Sequence, residues 1–310
     1  MSKFLYFQDF HISGKNSAHY ISDYFNNCLL MLDEILEIAK KNKVEAILDG
    51  GDLLHTPEPT YRIIDEIVDR VEKYKIPIYS LFGNHAERYH SMEHSRYTGQ
   101  AHIIKRSKYF NYLDRIKDND FVIEGIEYSH NIEEELKNPG RLIFSKGFEK
   151  SWKIAIVHAF ICKKEFPYAS HVVCDDITTN ADVVLVAHYH AQWEKKVGNT
   201  LFKDIGCLGR RSITEKDIIP CVLLIDTNTR TLKEIPLKSA KSGNEIFDIL
   251  MVDSLKDKEH TIDNFIKSIE DIQFQKMEIA DMVKYIGKEK GVNPEVVDLI
   301  IDKIKVLKNE

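Results

Sequence analysis

The chain has 310 residues, 43% of them hydrophobic and 30% charged, with a formal net charge of −6. That size and balance allow one large domain, alone or with a smaller attachment, and exclude a disordered or fibrous chain. The acidic balance excludes a uniformly basic nucleic-acid coat, while a local basic rim or bound cations can still present positive potential.

Phe4–Phe7 reads as a strand that ends at Asp9 and His11. From Asp23 to Lys41, Phe25, Leu29, Leu32, Ile35, Leu36 and Ala39 recur at helical spacing. Val44–Leu48 is an apolar strand running to Asp52, and Thr60–Tyr74 repeats the helical pattern with Ile64, Ile67, Val68 and Val71. Ile76–Phe82 is the next strand. This alternation predicts a parallel sheet covered by helices, with ligands collecting beyond the carboxyl ends of its strands. Arg88–Tyr112 is polar and weakly periodic, and so long a polar segment after a strand end is more often functional than filler. Short strands are expected over Phe121–His130, Ile154–Val157, Val183–Val186 and Leu201–Leu237, with a hairpin turn at Thr227–Arg230. The second half is therefore expected to add a more antiparallel layer. The fold class expected is α/β: a two-sheet β-sandwich flanked by helices, with a helical C-terminal extension. Composition shifts near Ser239–Gly243, which divides the chain into 1–238 and a helical region 239–310. In that region Asp263–Ile272 and Met277–Lys288 are amphipathic, and Asn293-Pro294-Glu295 caps a last helix.

The five cysteines, Cys28, Cys162, Cys174, Cys207 and Cys221, form no C-x-x-C pair, so neither a zinc knuckle nor a disulfide framework is expected. No apolar run approaches membrane-spanning length, and Met1-Ser2-Lys3-Phe4 leads into a strand rather than a secretory leader. The expected location is the cytoplasm, with no membrane partner.

Five short segments sit directly after strands: Asp9-Phe10-His11, Gly51-Asp52-Leu53-Leu54-His55, Gly83-Asn84-His85, Val157-His158-Ala159 and Ala187-His188-Tyr189-His190. Aspartates, an asparagine and histidines converging on one sheet edge supply the oxygen and imidazole ligands that a pair of divalent cations needs. With only Asp9 and Asp52 charged, such a centre keeps a net positive charge and attracts phosphate.

D-x-H, G-D, G-N-H, an isolated His and H-x-H, in that order over Phe4–Leu237, resemble the calcineurin-like metallophosphoesterase superfamily. The resemblance implies that Asp9, His11 and His190 hold one metal, that Asn84, His158 and His188 hold the other, and that Asp52 bridges them. It implies that His85 touches the substrate phosphate or protonates the leaving oxygen. His55, three residues past Asp52, is similar to the nuclease branch that contains the SbcD-type double-strand-break repair subunits, and there it would support His85 or contact the scissile phosphate. The resemblance thus implies a DNA exo- or endonuclease in repair or recombination. Its two divalent ions would most often be Mn²⁺, with Fe, Zn or Mg as alternatives. Its partners would be DNA, an SbcC-type SMC-like ATPase docking on the C-terminal helices, and a second copy of the chain.

Two positions depart from the family pattern. Ala86 stands where an acidic residue usually comes after G-N-H, with Glu87 next, and Ala187 replaces the usual Gly before H-x-H. Two readings compete with the nuclease: a stand-alone phosphatase or small-substrate phosphodiesterase, and a binding scaffold that has lost catalysis. The basic residues Arg88, Lys105, Arg106, Lys108, Lys163, Lys164, Lys195, Lys196, Arg210 and Arg211 are candidates for a DNA-backbone track, and Tyr89, Tyr97, Tyr109 and Tyr112 for base stacking. Solvated surface charge is the competing reading for the former, and for His90, His94 and His102 a solvated loop.

Overall fold

A computed structural model describes residues 2–86, 98–165, 170–248, 283–284, 287–288 and 292–307. The first compact unit runs from Met1 to Asp248 and contains two six-stranded sheets. One sheet is built on strands β1 (Lys3–Phe7), β2 (Ala46–Asp49), β3 (Ile78–Ser80) and β4 (Phe110–Tyr112), all parallel neighbours in that order. The helices α1 (Tyr24–Asn42) and α2 (Tyr61–Tyr74) make the first two crossovers. Asp23 starts α1 by accepting the Asn26 N–H, and Lys43 ends it in the left-handed conformation, where its N–H donates to Ala39 and Lys40 carbonyls. A third crossover helix, α3 (Gly99–Arg106), lies within the stretch that the sequence leaves as weakly periodic. Its eight residues are too few to show a helical repeat against so polar a background.

The second sheet contains β5 (Arg115–Lys117), β6 (Phe121–Ile126), β7 (Trp152–His158), β10 (Val183–Ala187), β11 (Gln192–Val197) and β12 (Thr200–Ile205). A small pair, β8 (Ile161–Cys162) and β9 (Val172–Val173), comes after β7, and helix α4 (Ile132–Lys137) precedes it. The expectation of an antiparallel second layer fails at the centre of this sheet. There β6, β7, β10 and β12 are parallel, and only the outer pairs β5–β6 and β11–β12 are antiparallel. The hairpin β13 (Cys221–Asp226) and β14 (Thr231–Pro236) is antiparallel as read, but it joins the first sheet beside β1. A strand's partner is set by the whole core, and local pattern does not encode it.

Alternate residues of both sheets meet in one core. Phe4, Tyr6, Leu48, Leu223 and Ile225 face Ile123, Ile154, Ile156, Val183 and Leu185. The other faces of β6, β7 and β10 pack on α4 through Val122, Ala155, Val157 and Val184 against Ile132 and Leu136. β7 and β10 are buried on both faces, which is why they read as unbroken apolar runs.

Residues 239–248 belong to this unit as well, although composition groups them with the C-terminal region. Glu34 accepts the Lys238 and Ser239 N–H groups at 2.9 and 2.7 Å, and α5 (Gly243–Ile246) leads to a bridge between Phe247 and Tyr20. The second unit, from Ile249 on, has helix α6 (Pro294–Leu307), whose first turn is tied by the Glu295 N–H to Asn293 Oδ1 at 3.1 Å. Val283, Val297 and Ile301 form its small cluster. The amphipathic span 263–272, most of 277–288, and Glu87, Arg88, Tyr89, His90, His94 and Tyr97 lie outside the described residues. All five cysteines are free and buried. Among the described residues no helix is long and apolar enough to cross a membrane.

Candidate metal centre

The carboxyl ends of β1, β2, β7 and β10 and the turn after β3 meet at one place. Chain geometry there is costly. Asp9, His11, Asp52, His188 and His190 all have positive φ, at 48°, 50°, 56°, 100° and 63°. Such backbone costs on the order of 1–3 kcal/mol per residue and persists only where its surroundings over-determine it. Here they do: Asp9 N–H donates to Gly51 O at 3.1 Å, His11 N–H to Asp52 O at 2.8 Å, and Leu208 and Gly209 N–H both to Asp9 O at 3.2 Å. The His188 N–H reaches the Asp9 carboxylate at 3.0 Å.

Two glycines of the motifs are required by close approach. Gly51 has φ of 109°, and a Cβ there would lie 2.4 Å from His158 Nδ1. A Cβ on Gly83 would lie 2.1 Å from Asp52 Oδ1. Ala187, by contrast, is the last residue of β10 and is absent from the positive-φ positions, so its methyl group is accommodated.

The side chains form two adjoining triads whose ligand atoms lie within 4.8 Å of one another: Asp9, His11 and His190, and Asp52, His158 and His188. Asn84 Oδ1 lies 3.3 Å from His158 Nε2. Asp52 Oδ2 sits between the triads, 3.8 Å from His11 Nε2 and 3.5 Å from His158 Nε2. It is buried with no hydrogen-bond partner, as is His11 Nδ1. His11 Nε2 and His190 Nε2 approach to 2.9 Å. Imidazole nitrogens that face each other, and a buried carboxylate oxygen that faces both groups unpaired, suit cations rather than a hydrogen-bonded core. The donors fit a pair of divalent ions.

Electrostatics divide the groups. Burial opposes ionisation of Asp52, but His158, then His11 and His85, hold its carboxyl well below the usual range. Burial likewise opposes a charged His158, which Asp52 nevertheless pushes up to about 9. Burial lowers His188 to about 3, with the His158 charge adding to it, and lowers His11 well below its ordinary value.

His85 lies beside the centre rather than in either triad. Its N–H donates to Asp52 Oδ1 at 3.0 Å, and its Nδ1 contacts the His55 carbonyl oxygen at 2.6 Å. The polar contact between His55 and His85 is thus made by the His55 backbone. Ala86 is a buried residue of the Asn84–Ala86 3₁₀ turn. The rings of His55 and His85 lie 4.9 Å apart, and those of His11 and His85 4.6 Å.

Sequence reading missed the outer partners. Glu215 Oε1 contacts His190 Nδ1 at 2.7 Å, while its Oε2 accepts the Arg211 and Ser212 N–H groups at 2.6 and 2.9 Å. Its signal was the capping-box pattern Ser212-x-x-Glu215. Gln8 Nε2 donates to Asp9 Oδ2 at 3.1 Å and to the buried Asp204 at 2.8 Å. His158 Nδ1 contacts Gly50 O at 2.9 Å. Nothing in the local pattern signals these last three contacts.

Three residues of the expected basic track are engaged within the fold. Arg210 is buried, and its guanidinium donates to the Lys216, Ile218 and Lys241 carbonyls. Arg106 pairs with Asp65, Lys195 pairs with Asp175, and His102 is exposed on α3. Tyr112 stacks on Phe82 with ring centroids 5.8 Å apart. Arg211 lies over the Tyr24 ring, 4.7 Å from its centroid.

A family model described as calcineurin-like phosphoesterase matches residues 4–192, more than half of the chain. No curated protein matches. Solved structures similar to this chain include an archaeal phosphodiesterase (16% identity, 76% of this chain and 99% of that one, TM-score 0.40). Others are the Escherichia coli phosphoesterase Yfce (10%, 76% and 100%, 0.37) and a dimetal phosphatase from Danio rerio (8%, 76% and 96%, 0.46).

Proposed function

The chain belongs to the calcineurin-like phosphoesterase family, and from that premise we propose that it is a phosphodiesterase that cuts DNA. Its two helix-flanked mixed sheets are the metallophosphoesterase fold, and the family is one of metal-dependent hydrolases with a dinuclear divalent centre. In the reading proposed, Asp9, His11 and His190 hold one ion, Asn84, His158 and His188 hold the other, and Asp52 lies between them. The observation that carries it is the placing of Asp52 Oδ2 within 4 Å of an imidazole nitrogen from each triad.

Bound ions would polarise the phosphate and acidify a water for in-line attack. The chain's own groups do the rest. The buried Asp9 and Asp52 carboxylates and the imidazoles would fix the positions of the ions. The His55 carbonyl aims His85, whose other nitrogen contacts a phosphate oxygen or gives a proton to the leaving oxygen. Gln8 and Glu215 hold Asp9 and His190 in orientation.

DNA as substrate, and an SbcD-like role in repair or recombination, are supported by the G-D-L-L-H block and by the His55 ring beside His85. The same reading proposes Mn²⁺ as the activating metal, an SbcC-type ATPase as the partner of the C-terminal helices, a homodimer and a cytoplasmic location. The test is a substrate panel in Mn²⁺, with linear duplex DNA, bis-p-nitrophenyl phosphate and p-nitrophenyl phosphate, each with and without such an ATPase. Turnover of DNA and the diester is expected. Turnover of the monoester alone would make the protein a phosphatase instead.

A further inference from the structure

A groove of about 650 Å³ is lined by Ser13, Lys15, Phe25, Thr56, Glu58 and Arg62 among others. It continues from the site by chain connectivity. His11 leads through Ile12 into Ser13–Lys15, and His55 leads into Thr56–Pro59. The two segments are joined where Ile12 bridges Leu54 and the His55 N–H donates to Ile12 O at 3.1 Å. Phe25 of α1 and the first turn of α2 complete the wall.

Arg70, Arg115 and Arg141 are matched by the carboxylates of Glu66, Glu124 and Glu135. Among the described residues, Lys15, Arg62 and Arg211 have no such partner. Arg211 donates to the Lys15 carbonyl at 3.2 Å, and after burial it is the strongest influence keeping the His55 imidazole neutral. Arg62 is exposed, with its guanidinium 5.5 Å from the centroid of the Phe25 ring. On a chain of net charge −6, the groove holds two cations, Lys15 and Arg62, against one carboxylate, Glu58, and Arg211 adjoins it through the Lys15 carbonyl. A polyanion satisfies them, and a guanidinium held by an aromatic ring offers its other face to a planar base.

We propose that this groove receives the nucleic-acid strand next to the scissile phosphate, with a base stacked on Arg62 and backbone phosphates on Lys15 and Arg211. The proposal rests on the DNA reading given above and assigns these three residues to substrate binding. Its test is fluorescence anisotropy of a short labelled phosphorothioate single strand on the full-length protein, over a range of salt concentrations. Arg62→Ala should weaken binding by about tenfold, as loss of one base stack does. Arg62→Lys, which keeps the charge without the planar face, should restore only part of it. With an abasic nucleotide at the stacked position, wild type and Arg62→Ala should converge. Lys15→Ala should lower the slope of log affinity against log salt by about 0.7. If wild type binds the strand and all three variants match it, the groove is not the path, while the DNA reading stands. If wild type binds no strand at all, the groove proposal fails, and the DNA reading is decided separately by cleavage of linear duplex DNA.

Discussion

Glu215→Gln probes the support of the centre with the smallest change in shape. The carboxylate works in two directions, with one oxygen 2.7 Å from His190 Nδ1 and the other accepting the Arg211 and Ser212 N–H groups. A glutamine has one oxygen for two acceptor tasks. Turning its amide nitrogen toward Arg211 and Ser212 would set donors against donors, so the oxygen stays there and the NH₂ faces His190. His190 Nδ1 must then accept, which places the ring proton on Nε2. That is the atom 2.9 Å from His11 Nε2 and 3.9 Å from Asp9 Oδ1, the one that faces the proposed ion. Loss of such a partner typically weakens metal binding by about 10–100-fold, or about 1.4–2.7 kcal/mol. Titration of Mn²⁺ or Zn²⁺ against a chromophoric chelator measures it, with circular dichroism to verify folding. Wild-type affinity in a folded Glu215→Gln protein would refute the argument that this carboxylate sets the tautomer of His190.

Other perturbations separate chemistry from scaffold. His85→Ala is expected to retain its metals and lose about 10²–10⁴-fold in turnover of bis-p-nitrophenyl phosphate. Wild-type turnover would remove His85 from the reaction. Gly83→Ala places a methyl group 2.1 Å from Asp52 Oδ1, so it is expected to cost about 1–3 kcal/mol of stability and to lower metal content, as measured by calorimetry and elemental analysis.

The strand-end residues were legible because the centre is built from chemistry that apolar strands cannot use otherwise. Asp9, Asp52 and His158 are buried at the ends of runs such as Phe4–Phe7 and Ile154–Val157, and that abrupt change is visible in one dimension. The two-sheet architecture was legible for the same reason. The hidden features depend on contacts distant in sequence. Gln8 meets Asp204 across 196 positions, and β13 chooses β1 over the second sheet. Arg210 reads as a surface charge next to Arg211, yet three carbonyls brought in by residues 216–241 bury it. His55 was found by its spacing, but the atom that acts on His85 is its carbonyl, which every residue type carries.

The central claim, that Asp52 joins two neighbouring cations at this sheet edge, is tested most directly by anomalous diffraction from crystals grown with Mn²⁺. The account predicts two peaks about 3.5–4 Å apart, with Asp52 touching both and both lost in Asp52→Ala. A single peak, or ions bound without Asp52, would contradict it.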